Sequence, residues 1–248
     1  MTAPTDWYQT FFSGLFVDCW LQAMTPEQTL AEADFLQKML QVAPPARLLD
    51  VPCGGGRHSL ALAERGYALT GVDISPAFLK VARAQSAGRP LPVRWEQRDM
   101  RDLPWPGEFD GAFSFGNSFG YLEDAGNPQF LQAAARALKS GARFVLDTSY
   151  IAEILLPVLQ ERQWYPAGDV LFLAQRRYDH VHGRLEVEYT LIKDGKVEKQ
   201  PMSGRLYTYR ELCQLLAEAG FASWQAYGSL NEEPFQLGAK RLLLVATK

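Results

Sequence analysis

The residues best placed to do chemistry lie in Leu48-Leu49-Asp50-Val51-Pro52-Cys53-Gly54-Gly55-Gly56-Arg57-His58. An apolar strand there ends on an acid, turns through three glycines and runs into a helix start. Glycines let a backbone approach a ligand closely, and the free N–H groups of a helix N-terminus receive its polar or anionic part. A second acid, Asp73, closes the apolar run Ala68-Leu69-Thr70-Gly71-Val72. It follows the glycines by about 20 residues, the spacing of an acid that receives ribose hydroxyls. The two segments together predict a site for an adenosine-containing cofactor. Taken singly, Asp50 could cap the following turn and Asp73 the next helix. Arg57 sets a positive charge against the helix dipole, which is unfavourable unless an anion lies near. Arg57 therefore reads either as lying close to an anionic ligand group or as solvated or paired on the surface. His58 reads as a packing or hydrogen-bonding residue.

Other chemistries find less support. No histidine or cysteine cluster has metal-ligand spacing, and His180 and His182 read as solvated residues at a strand end. Cys19, Cys53 and Cys213 are scattered and odd in number, which points to reduced thiols in a cytoplasm rather than a disulfide framework. A net charge of −3 supplies no basic field for nucleic acid or anionic membrane. No apolar run approaches the roughly 18 residues of a membrane span, and the first residues lack a signal-peptide pattern. The expectation is a cytoplasmic protein without a nucleic-acid or membrane partner, with monomer and homodimer both open.

The elements that must hold these residues alternate. With 47% hydrophobic residues over 248, the chain has material for one α/β domain. Strands are predicted at 47–51, 68–73, 93–97, 109–115 and 143–147, with helices at 57–65, 76–87 and 128–138 between them. Ser75-Pro76 is a cap-and-first-turn pair, and Gly66 and Gly88 suit helix ends. After Asp147 the rhythm changes to three strands, 169–178, 185–192 and 197–207, with Asp194-Gly195 as a hairpin turn. This antiparallel insert (164–208) would lie over one end of the sheet, where Arg176, Arg177 and Tyr178 might reach a substrate. Thr208 to Glu211 opens a helix with a capping box, and strands at 221–227 and 241–247 finish the chain. Residues 1–42 are helical by pattern. There Tyr8, Phe12 and Phe16 recur every four positions, as either a packing stripe or a lid that excludes water.

These segments resemble, in order, the motifs of class I S-adenosylmethionine (SAM)-dependent methyltransferases. Asp50 to Gly56 is similar to the first motif, an acid followed by glycines, although Pro52 stands where the family's first glycine is commonest. Gly71-Val72-Asp73-Ile74-Ser75 resembles the second, Arg98-Asp99-Met100 the third, Phe109 to Phe115 the fourth strand, and Leu138 to Phe144 the turn before the fifth. The resemblance implies a doubly wound, mostly parallel seven-stranded Rossmann-like sheet. It also implies that Asp73 holds ribose, that Asp99 faces adenine, and that SAM is bound by Asp50, Cys53, Gly54, Gly56, Arg57, Asp73, Ile74, Asp99, Met100, Phe115 and Gly116. Arg57 would lie near the methionine carboxylate. The loop Phe115-Gly116-Asn117-Ser118-Phe119-Gly120-Tyr121 would face the acceptor, with Asn117 and Tyr121 as catalytic candidates.

The expected function is methyl transfer from SAM to a small-molecule acceptor by in-line displacement, which needs alignment more than a base. An NAD(P)-dependent oxidoreductase is the alternative, because Asp73 suits either ribose. Against it, Asp50 precedes the glycines where it would repel a pyrophosphate. A non-catalytic SAM-binding protein also remains open. A nucleic-acid methyltransferase is disfavoured by charge and by the absence of an Asn/Asp-Pro-Pro-aromatic tetrapeptide.

Overall fold

The computed structural model describes residues 3–248. Three helices, α1 (Tyr8–Phe11), α2 (Leu15–Gln22) and α3 (Pro26–Leu40), lead into β1 (Arg47–Asp50). The alternation α4 (Arg57–Ala63), β2 (Ala68–Asp73), α5 (Pro76–Ser86), β3 (Val93–Gln97), β4 (Phe109–Ser114), α6 (Gly126–Ala137) and β5 (Leu138–Thr148) follows. After the short α7 (Ala152–Leu155) come β6 (Arg162–Ala167), β7 (Val170–Asp179), β8 (Arg184–Lys193) and β9 (Lys196–Arg205). Helix α8 (Tyr209–Ala219) and strands β10 (Ser223–Tyr227) and β11 (Leu242–Thr247) complete the chain.

Seven strands form the main sheet in the order β10-β11-β5-β4-β1-β2-β3, parallel from β5 to β3, with β11 antiparallel to both β5 and β10. Its central strands are apolar on both faces, as a covered parallel sheet requires. Leu48, Phe113, Val145 and Leu243 pack with α3 and α4 on one side. Leu49, Ala112, Phe144, Leu146 and Leu244 pack with α6 and α8 on the other. Strand order reverses between β1 and β4, which opens a crevice at their carboxyl ends. The glycine loop leaves β1 there, and the 115–121 loop leaves β4 beside it.

Two expectations need correction. The N-terminal aromatics do not share one helix: the chain breaks at 12–14, where Gly14 takes φ 55 and ψ −136, so Tyr8, Phe12 and Phe16 fall on separate elements. The insert has four antiparallel strands rather than three, in the order β6-β7-β8-β9. The unpredicted strand, β6, lies at the sheet edge, carries Pro166 and pairs Arg162 with Gln175 through Ala167 with Val170. A proline tolerated only at an edge hides such a strand from pattern reading. The turn histidines are as expected: His182 is exposed and bonds Asp179 at 2.9 Å.

Candidate active site

The glycine loop is held against β2 by backbone bonds. Cys53 N–H donates to the Val72 carbonyl at 2.8 Å, and Gly54 N–H donates to Asp73 Oδ2 at 2.7 Å. Asp73 Oδ1 accepts from Ser75 N–H at 2.8 Å, so this one carboxylate ties the loop to the start of α5. Burial pushes its pKa up to about 6 against those bonds. The Trp95 indole wedges behind the loop. A Cβ on Gly56 or on Gly71 would come within 2.4 Å of that ring, so both positions exclude any side chain. Gly54 is the opposite case: at φ 51 its missing Cβ faces open space, with no atom within 4 Å. A ligand can therefore lie directly on the loop at Gly54.

That open space belongs to a cavity of about 480 Å³, inside the range of about 300–1,000 Å³ usual for cofactor and small-molecule sites. Cys53, Gly54 and Arg57 line its middle, and Asp73, Ile74, Phe78 and Met100 one side. A recess of about 20 Å³ continues past Ile74 and Met100 to Asp99. Burial raises the Asp99 pKa, but hydrogen bonds from Arg101 outweigh it and hold this carboxyl below its ordinary value. Phe115, Gly116, Ser118 and Tyr121 line the same cavity from the β4 loop.

Of the predicted residues, the structure thus brings together Cys53, Gly54, Arg57, Asp73, Ile74, Met100, Phe115, Gly116 and Tyr121, with Asp99 next door. It withholds three. Asp50 is 1% exposed, does not line the cavity and accepts a hydrogen bond from Ser59 Oγ at 2.7 Å. Burial pushes its pKa up to about 7. Gly56 serves the fit to Trp95, not the cavity. Asn117 turns away: its Oδ1 accepts from Ser149 N–H at 2.6 Å and Thr148 Oγ1 at 3.3 Å, bracing the end of β5. Asn117 holds the left-handed conformation, φ 71, that aims its side chain there. Tyr121 is buried and lies edge-on to Trp7 at 5.0 Å between ring centroids. Burial raises its pKa far above the ordinary value, so at neutral pH the hydroxyl is a hydrogen-bond donor and not a base.

Several site residues were not anticipated. Tyr8, Phe12, Trp20 and Leu21 cover the cavity, and Leu21 Cδ2 lies 2.7 Å from where a Gly55 Cβ would be. Beneath them, Glu32 of α3 is 1% exposed and accepts from Arg57 at 2.6 Å, His58 Nε2 at 3.0 Å and Arg241 at 3.2 Å. Burial opposes its charge, but the His58 hydrogen bond and the Arg57 charge hold its pKa down to about 2. Burial also lowers His58 to about 4, so its ring is neutral at physiological pH. Arg241 reaches onward to Asp147 at 2.9 Å, and Asp147 Oδ2 accepts from Gly116 N–H at 3.0 Å. Arg57 had signalled a nearby anion through its place at a helix N-terminus. Nothing local marks Glu32 or Arg241.

These residues fit a SAM molecule in three ways. There is room on Gly54, a carboxylate with free lone pairs at Asp73, and a guanidinium at Arg57 beside the loop. Comparison with known proteins agrees. A family profile described as a methyltransferase domain matches residues 48–141. Glycine/sarcosine N-methyltransferase of Parasynechococcus marenigrum is 27% identical over 236 residues, covering 92% of this chain and 82% of that protein. Ubiquinone biosynthesis O-methyltransferase of Xanthomonas oryzae pv. oryzae is 32% identical over 135 residues, so the match spans 52% of this chain and only 55% of that relative. The CcbJ methyltransferase of Streptomyces caelestis superposes with a TM-score of 0.76 at 18% identity, covering 98% of this chain and 95% of that one, a likeness of fold. Motif order, cavity and comparisons converge: residues 48–141 match a methyltransferase domain, and the chain has the fold and motif order of the class I SAM-dependent methyltransferases it resembles.

Proposed function

We propose that this enzyme methylates a small-molecule acceptor, with donor and acceptor side by side in the cavity beneath the N-terminal helices. The observation that carries this reading is the single cavity lined by Asp73, Ile74 and Met100 on one side and by Phe115, Ser118 and Tyr121 on the other. SAM supplies a methyl group made electrophilic by its sulfonium. The protein's part is alignment: Asp73 would receive the ribose hydroxyls, Ile74, Met100 and Asp99 would hold the adenine, and Gly54 and Arg57 would seat the methionine end. Tyr121, protonated, donates a hydrogen bond that orients the acceptor. Helices α1 to α3 act as the lid, and the insert backs them through Phe172 and Tyr189, which pack on Phe11 and Phe16.

A small acceptor suits a site so thoroughly roofed by aromatic side chains, and a net charge of −3 offers no field for nucleic acid. Two relatives' names point the same way, one to glycine and sarcosine and one to a ubiquinone precursor pathway. Among the described residues no helix is long and apolar enough to cross a membrane. Three free cysteines accord with a reducing compartment such as cytoplasm.

Calorimetric titration with S-adenosylhomocysteine (SAH) tests the donor assignment. Asp73→Ala should weaken binding by about 1–3 kcal/mol, the scale of lost hydrogen bonds to a charged group. Unchanged affinity in a folded variant would remove Asp73 from the site.

A further inference from the structure

The insert carries a cation that the donor site does not use. Side chains alternate along β7, so Phe172, Ala174 and Arg176 share a face. Ala174 pairs with Tyr189 of β8, and Arg176 with Val187. This face packs on the N-terminal helices, whose Tyr8, Phe12 and Trp20 line the cavity. Tyr189 packs on Phe11 and Phe16 at 5.9 and 6.2 Å, and Phe172 packs on Phe16 at 6.2 Å. Tyr150, 7% exposed, fills the gap: its ring lies 2.7 Å from where a Gly204 Cβ would be, and 6.3 Å, edge-on, from Tyr121. A continuous aromatic wall thus runs from Tyr121 in the cavity to Arg176 on the insert.

The Arg176 guanidinium is half-buried and held by neutral partners. Nη1 donates to Gln163 Oε1 at 3.1 Å and Nη2 to the Tyr165 hydroxyl at 2.8 Å. It also stands over the Tyr165 ring, 5.7 Å from the centroid. Among the described residues no carboxylate pairs with it, whereas Arg57 is paired with Glu32, and Arg241 with both Glu32 and Asp147. Two of five N–H donors are spent, and a half-buried charge without a counter-ion is costly until a partner arrives. Burial pushes the Tyr150 and Tyr189 pKa values up, so both hydroxyls are protonated at neutral pH, and Tyr150 donates its own to Met202 Sδ at 3.2 Å.

We propose that Arg176, with the Tyr165 hydroxyl beside it and Tyr189 one cross-strand pair along the same face, binds an anionic group of the acceptor, a carboxylate or a phosphate. The acceptor would then span from the insert to Tyr121, with its nucleophile at the Tyr121 end. This rests on reading that end of the cavity as the acceptor side.

The test is calorimetry on the SAH-saturated enzyme with benzoate, phenyl phosphate and benzamide as probes. Wild type should bind benzoate or phenyl phosphate, whichever anion the site is shaped for, and bind benzamide at least about tenfold more weakly. Arg176→Gln should abolish that preference, and Arg176→Lys should restore part of it. SAH affinity and melting temperature should stay unchanged in both variants. Absence of anion binding in wild type, or anion binding that survives in Arg176→Gln, would overturn the proposal. Failure of wild type to bind SAH would instead sink the donor assignment.

Discussion

In the proposed donor site the assignment of Asp73 can be checked directly, because its burial gives it a pH signature. In the free enzyme its pKa stands near 6, above the ordinary carboxylate value. Only the ionised form accepts hydrogen bonds with every lone pair. SAH affinity should therefore rise with pH through about 6 and level off above it, whereas Asp73→Asn should bind weakly and without that step. A flat wild-type profile between pH 5 and pH 7, two points about one unit either side of that pKa, would contradict the assignment. Tyr121 makes a separate demand. Removing its hydroxyl in Tyr121→Phe should slow the conversion of SAM to SAH in the presence of an accepted substrate by about 10- to 100-fold, as for a lost orienting hydrogen bond, and leave SAH binding intact. An unaltered rate would take Tyr121 out of the reaction. Asp73 and the open Gly54 were legible in the sequence because strand, acid and glycine spacing is local. Asn117 was misread because its backbone conformation, invisible in composition, swings the amide toward Ser149.

At the scale of elements, the reading succeeded where punctuation is chemical. Ser75 and Thr208 cap α5 and α8, and Glu211 completes the capping box as its spacing announced. It failed at the N-terminal break, because one glycine within an aromatic helical pattern looks tolerable. In the fold, Gly14 is where the insert grips the N-terminal helices. Glu198 of β9 accepts from Leu15 N–H at 2.9 Å, and a Cβ on Gly14 would meet that carboxylate at 2.7 Å. Gly14→Ala should cost about 1–3 kcal/mol from backbone strain and release the corner from the insert. The measurement is protease cleavage within the first 24 residues of the SAH-saturated enzyme, which should accelerate. Equal protection in both proteins would mean that the contact between lid and insert is incidental.

Across the whole molecule, the donor and acceptor loops are joined by charges drawn from far apart in sequence. Glu32, Arg57, Arg241 and Asp147 come from α3, α4, the approach to β11 and the end of β5, and they meet next to Gly116. No short-range pattern encodes such a meeting, which is why the fold class was readable and this network was not. Arg241→Met would leave Asp147 without its cation. It should destabilise the protein by about 2–3 kcal/mol, below the about 3–5 kcal/mol of a fully buried pair because the guanidinium is partly exposed. A denaturant midpoint equal to wild type would show the pair to be dispensable. The Trp95 wedge reaches further, into heredity. One indole forbids a side chain at both Gly56 and Gly71. Three codons are therefore bound to drift together: descendants that keep the tryptophan must keep both glycines, and either glycine becomes free to vary only after the tryptophan has shrunk.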